Sequence, residues 1–213
     1  MVPPIRAVLF DADGVIQNSK ADDLPLRIQR GMGFVPEPFE AFLQEVLAAE
    51  WPAIAGQIEV VQALEPVLAK WGAPGTAAAL AAAWWCSVDA DAAVLALIAK
   101  LRQQGIFCAL ATNQHRFRAD YLRETYDYDQ RFDRSFYSYA LGCAKPDVRY
   151  FQAILANLPF PPAEVLFIDD LETNVAAARS VGITAAQFVH PKSPEGVAGL
   201  RALLATFSLV VPD

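Results

Sequence analysis

The stretch "IRAVLFDADGVIQNS", Ile5 to Ser19, changes character in its middle. From Ile5 to Phe10 it is almost wholly apolar and too brief for a stable helix. It reads as a strand buried on both faces, the habit of parallel sheets. At its end stand two acids one residue apart, Asp11 and Asp13, followed by Gly14. Were both ionised at ~4 Å, their repulsion would be about 4 kcal/mol at an effective dielectric near 20. A buried strand that ends in this way needs a compensating positive charge beside it.

Four more segments share the short apolar form: Ile106 to Ala111, Ser135 to Tyr139, Val165 to Ile168 and Thr184 to Val189. A helical pattern follows each, in "QHRFRADYLRETY", "PDVRYFQAILANL", "LETNVAAARSVG" and "SPEGVAGLRALLATF". Gly105 and Gly182 stand where helices stop before the next strand. Strand and helix in alternation predict an α/β fold, with a doubly wound, mostly parallel, Rossmann-like sheet.

The first strand is the exception. Residues 18–88 intervene between it and the helical pattern "DAAVLALIAKLRQQG", and they hold no convincing strand. "PFEAFLQEVLAAEW", "QIEVVQALEPVLAKW" and "TAAALAAAWWCSV" repeat apolar residues at three- and four-residue spacing, with breaks expected at Pro52, Gly56, Pro74 and Gly75. The expected division is an α/β core of residues 1–17 and 89–213 with a helical cap, residues 18–88, inserted over the strand ends. The Ala-rich run from Thr76 to Ala83 reads as a close-packed helix, and Trp84 and Trp85 after it as core or cap–core contacts.

The 213 residues suffice for one domain with an insertion and a substantial core. A net charge of -7 argues against a nucleic-acid partner, which needs clustered Lys and Arg. Cys86, Cys108 and Cys143 are odd in number and widely spaced, which points to free thiols in a reducing compartment rather than to disulfides or a zinc site. Without a basic leader or a stretch of ~20 apolar residues, the expectation is a cytoplasmic protein, monomer or homodimer, with no membrane partner.

In open α/β sheets, ligands bind beyond the carboxyl ends of the strands. The polar residues collect there: Asp11 and Asp13 after the first strand, Thr112 and Asn113 after the second, Lys145 in "GCAKPD" after the third, and Asp169 and Asp170 in "FIDD" after the fourth. Acids at this density call for a hard divalent cation. Mg²⁺ takes oxygen ligands and is usually held by one or two carboxylates plus substrate phosphate. It would offset the repulsion and leave Lys145, Thr112 and Asn113 to hold the oxygens of a phosphoryl group.

The motifs "DADGV", "TN", "KPD" and "FIDDLETNV", in that order, resemble those of the haloacid dehalogenase-like hydrolases, in the branch with a small helical cap between the first and second motifs. The resemblance covers Arg6 to about Val189. It implies that Asp11 is the nucleophile, forming an aspartyl-phosphate, and that Asp13 is the general acid and base. It places the metal on the Asp11 carboxylate, the backbone carbonyl of Asp13 and the Asp169–Asp170 pair, with Asp170 favoured as direct ligand and Asn174 orienting the acids. The metal-independent dehalogenases of this family lack an acid two residues after the nucleophile, so Asp13 implies phosphoryl transfer. The implied activity is a Mg²⁺-dependent phosphatase acting on a small phosphorylated metabolite, such as a sugar phosphate. A phosphomutase of the beta-phosphoglucomutase type, a 2-haloacid dehalogenase-like hydrolase and a non-catalytic binding relative are the alternatives. Gln17 and Asn18 depart from the family's usual continuation of the first motif.

Other residues carry less. "DADG" lacks the third ligand, the glycine at position six and the closing Glu of a calcium loop. Asp147 reads as the cap of its own helix. His115, just past the second motif, is near enough to touch a substrate but reads more readily as a surface helix position, and His190, before Pro191, as a loop residue. Lys20, Arg27 and Arg30 are as readily solvated helix charges as contacts to an anion.

Overall fold

The computed structural model describes residues 3–19, 24–190 and 196–211. It opens with β1 (Ala7–Phe10) and β2 (Gln17–Ser19), then the helices α1 (Leu24–Met32), α2 (Phe39–Ile54), α3 (Val60–Trp71) and α4 (Ala77–Trp85). The chain returns through β3 (Val88–Ala90), α5 (Ala92–Gln103), β4 (Phe107–Thr112), α6 (Arg116–Tyr126), α7 (Tyr128–Arg131) and β5 (Arg134–Tyr137). It ends with α8 (Ser138–Leu141), α9 (Val148–Leu155), β6 (Val165–Asp169), α10 (Glu172–Ser180), β7 (Thr184–Gln187) and α11 (Gly196–Thr206).

Five strands form one parallel sheet in the order β5-β4-β1-β6-β7, with β1 at its centre. The apolar run of β1 explains its place, because it packs on both faces. Val8 and Phe10 join Ile98 and Leu101 of α5 and Leu200 of α11 on one side. Ala7 and Leu9 join Phe151 of α9 and Val175 of α10 on the other. Each Leu or Phe buried in this way contributes roughly 1.5–3 kcal/mol. Helices on both faces make the fold the doubly wound α/β sheet that the alternation predicts, and the strands end where the acids stand.

Sequence reasoning missed a second, two-stranded sheet. β2 and β3 pair antiparallel, Gln17 opposite Ala90 and Ser19 opposite Val88, where the segment enters and leaves α1–α4. Those four helices share their own apolar core, with Ile28, Phe42, Leu64, Leu80 and Trp85 at its centre. The break expected at Pro52 does not occur. α2 runs through it to Ile54, because the missing N–H falls close to the helix end and leaves the earlier turns intact. The real stop is at Gly56, with φ +70, where an added Cβ would lie 2.1 Å from the carbonyl oxygen of Tyr139. The loop between α2 and α3 therefore rests backbone against backbone on α8. Among the described residues, no helix is long and apolar enough to cross a membrane.

Candidate active site

β1 delivers Asp11 to the carboxyl edge of the sheet, and there the chain folds into a turn. The Ala12 carbonyl accepts from the N–H groups of Ile16 (2.9 Å) and Gln17 (3.0 Å). As a result the two acids of the first motif diverge to different cations. Lys145, in the loop ahead of α9, places its ammonium 2.8 Å from Asp11 Oδ1, 2.7 Å from Asp169 Oδ2 and 2.9 Å from the carbonyl of Ala111. These three acceptors match its three N–H donors, and the side chain is 1% exposed. Burial works against the charged form, but Asp11 and Asp169 outweigh it, raise the Lys145 pKa and hold the ammonium protonated. For Asp11, burial raises the carboxyl pKa, Lys145 lowers it and Asp169 raises it again; the net direction is upward.

Asp169 ends β6 with both oxygens engaged. Oδ2 faces Lys145, while Oδ1 accepts from Asn174 Nδ2 and from the Leu171 N–H, each at 2.9 Å. Asp170 is only half-buried, and burial together with Asp169 raises its carboxyl pKa. Carboxylate oxygens of Asp11, Asp169 and Asp170 lie within 4.8 Å of one another. Gly14, at φ +75, lets Asp170 come this close: a Cβ on residue 14 would lie 2.5 Å from Asp170 Oδ2. Converging hard oxygens of this kind suit Mg²⁺, with Asp170 offering the more open ligand.

Asp13 meets a group that no motif announced. Arg118, in the first turn of α6, forks onto it, with Nη1 donating to Oδ2 at 2.7 Å and Nη2 to Oδ1 at 2.8 Å. Gln17 Nε2 and Gln114 Nε2 add a bond each at 3.0 Å, so each carboxylate oxygen accepts two donors. Burial raises the Asp13 carboxyl pKa, but the Arg118 guanidinium and these amides overcome it and hold the group below its ordinary range. Gln17 in turn accepts from the Tyr128 hydroxyl at 2.7 Å. The residue that departed from the family pattern thus braces the acid loop.

Thr112 and Asn113 lie at the end of β4 beside these groups. Thr112 Oγ1 accepts from Gln114 Nε2 at 3.1 Å, and Asn113 exchanges two 2.9 Å bonds with the backbone of Lys145. His115 is not on the surface: its side chain is 1% exposed, and its Nδ1 caps α6 by accepting from the Arg118 N–H. It packs edge-on against Trp85, with ring centroids 4.8 Å apart, so Trp85 joins the helical insert to the core. Asp147 caps α9 through the Arg149 N–H. His190 is buried between Asp91 (2.9 Å) and Asn18 (3.3 Å), tying the two connections of the insert together. Arg27 and Arg30 line a separate cleft with Gly31, Ala79 and Ala83, and Lys20 lies outside the described residues.

Comparison with known proteins agrees with this fold. The model of the haloacid dehalogenase-like hydrolases matches residues 5–182. A sesquiterpene phosphatase of Aspergillus oryzae is 32% identical over 188 residues, which cover 86% of this chain and 89% of that protein. Among solved structures, a HAD family enzyme of Bacteroides thetaiotaomicron in complex with magnesium and inorganic phosphate superposes with a TM-score of 0.74 at 22% identity, over 90% of this chain and 96% of that one. An L-2-haloacid dehalogenase of Xanthobacter autotrophicus has the same fold, with a TM-score of 0.63 at 22% identity, over 96% of this chain and 86% of that one. With its parallel sheet, its acids at the strand ends and a family match across most of its length, this chain belongs to the haloacid dehalogenase-like hydrolases.

Proposed function

We propose that the protein is a phosphatase that hydrolyses a small organic phosphate monoester through an aspartyl-phosphate. The observation that carries the reading is the buried Asp11–Lys145 pair beside the converging oxygens of Asp169 and Asp170. An Asp11 oxygen attacks phosphorus as the bond to the leaving oxygen breaks. Asp13 gives that oxygen a proton, then takes one from the water that attacks phosphorus and frees Asp11. For this, the Gln17 or Gln114 amide must leave Asp13, so that one oxygen can carry the proton while the Arg118 fork still holds the carboxyl plane. Lys145 keeps Asp11 oriented against Asp169. Thr112, Asn113 and Lys145 are the donors proposed for the phosphoryl oxygens; the Thr112 hydroxyl accepts from Gln114 and keeps its own O–H to give, whereas Asn113 and Lys145 each give up a bond that they donate in the structure.

Asp11, Asp170, the Asp13 carbonyl and Asp169 are the residues proposed to hold Mg²⁺, which would supply charge neutralisation at the phosphoryl oxygens. Similarity to a sesquiterpene phosphatase supports a phosphate ester whose leaving group need not be a sugar. The unpaired Cys86, Cys108 and Cys143 fit a reducing compartment such as the cytoplasm. The presence of Asp13 favours the phosphatase over a dehalogenase.

Phosphate release from a panel of phosphorylated metabolites and an aryl phosphate, beside a 2-haloacid control, tests the reading. Asp11→Asn should abolish release. Undiminished turnover in that variant, or halide release from the control, would sink it.

A further inference from the structure

Arg118 belongs to no motif, yet it joins the helical insert to the acid loop. Its guanidinium is buried and uses four N–H directions. Nε donates to the carbonyl of Trp85, the last residue of α4, at 2.9 Å. Nη1 and Nη2 hold the two oxygens of Asp13, and Nη1 also reaches Gln114 Oε1 at 3.2 Å. Directly after Trp85 the chain passes into β3, the strand by which the insert returns to the core. A second line runs beside the first. The buried His115 Nε2 has no hydrogen-bond partner and faces Glu50 Oε1 of α2 at 3.7 Å, while its Nδ1 accepts the Arg118 N–H.

We propose that Arg118 is a positioning residue through which the end of α4 sets the orientation of the Asp13 carboxylate. The Asp13 side chain is 39% exposed, so packing does little to fix it and the surrounding donors must do so. A planar fork holds a carboxylate in one plane, which a lysine ammonium cannot do. Because the same guanidinium is bound to the Trp85 carbonyl, a displacement of α4 displaces the fork. A misplacement of about 1 Å at a reacting group costs on the order of 10²-fold in rate. The kinetic consequence rests on the phosphatase reading; the mechanical link does not.

The test compares Arg118→Met, which keeps the bulk and removes the fork, with Arg118→Lys. Each is made in the wild-type and the Asp13→Asn backgrounds and assayed on aryl phosphates with good and poor leaving groups. Arg118→Met should lower kcat by about 10- to 100-fold on the poor leaving group and less on the good one, with KM nearly unchanged. Arg118→Lys should restore part of the loss, and Arg118→Met should cost nothing further once Asp13 is Asn. Equal losses on both esters, or full additivity with Asp13→Asn, would overturn the proposal.

Hydrogen exchange supplies a readout free of turnover. Arg118→Met should speed exchange both in the Ala12–Gln17 turn and at the end of α4, and unchanged protection in either place overturns the link. If Arg118→Met fails to fold, Arg118→Lys carries the same comparison. If the wild type releases phosphate from no ester, the phosphatase reading fails and exchange alone decides the role of Arg118.

Discussion

Asp170 approaches the nucleophile loop as closely as it does because residue 14 has no side chain. Gly14→Ala would press a methyl to 2.5 Å from Asp170 Oδ2 at a backbone φ of +75. We expect this variant to lose the response to Mg²⁺. The wild type should gain about 2.7 kcal/mol at a hundredfold excess of Mg²⁺ over its Kd, a rise of roughly 5–10 °C, and the variant little or none. Thermal unfolding with and without Mg²⁺ decides it; an undiminished rise in the variant would exclude Asp170 as a ligand. At this scale the sequence was legible where residues belong to motifs, as with Asp11, Asp13, Lys145, Asp169 and Asp170. It was illegible for Arg118, whose partner Asp13 lies 105 positions away. In "HRFRADY" nothing in the pattern separates it from Arg116, whose side chain is 57% exposed.

The junction of α2 with α6 sets a pH dependence. Burial, offset in part by Arg118, pushes the Glu50 carboxyl from 4.5 up to about 7. Burial, reinforced by Arg118, pushes the His115 imidazole from 6.5 down to about 3. Between pH 4.5 and 7 the unfolded chain ionises Glu50 while the folded chain keeps its proton, so this group costs stability as pH rises. For His115 the sign reverses, because the unfolded chain takes up a proton below pH 6.5 that the folded chain refuses down to about 3. Glu50→Gln should therefore gain about 3 kcal/mol over the wild type at pH 8. At pH 4 it should gain almost nothing. Urea unfolding at both pH values checks this, and an equal difference at the two would refute it. Among the elements, the five long-range strands were readable from their apolar runs. β2 and β3 were not, because three residues such as "QNS" carry no alternation and exist as strands only through pairing across the insert.

For the whole molecule, the order of strand and helix predicted the doubly wound sheet and put the polar residues at one edge. It could not say how α1–α4 rest on that edge, which depends on contacts such as Trp85 with His115. The chain carries a net charge of -7, and Lys145, the cation that meets the nucleophile among the described residues, is buried and paired. A dianionic ester therefore meets net repulsion at long range. We expect kcat/KM to rise between 0.01 M and 0.15 M salt, as the screening length falls from about 30 Å to about 8 Å. A fall over that range would reveal a local attractive field strong enough to override the net charge. The contact of Gly56 with the Tyr139 carbonyl bears on which exchanges the insert accepts. At that point the loop after α2 meets α8 main chain to main chain, so any side chain at residue 56 would wedge the two apart, and the seating of the insert tolerates exchange of its surface residues far better than exchange of this one glycine.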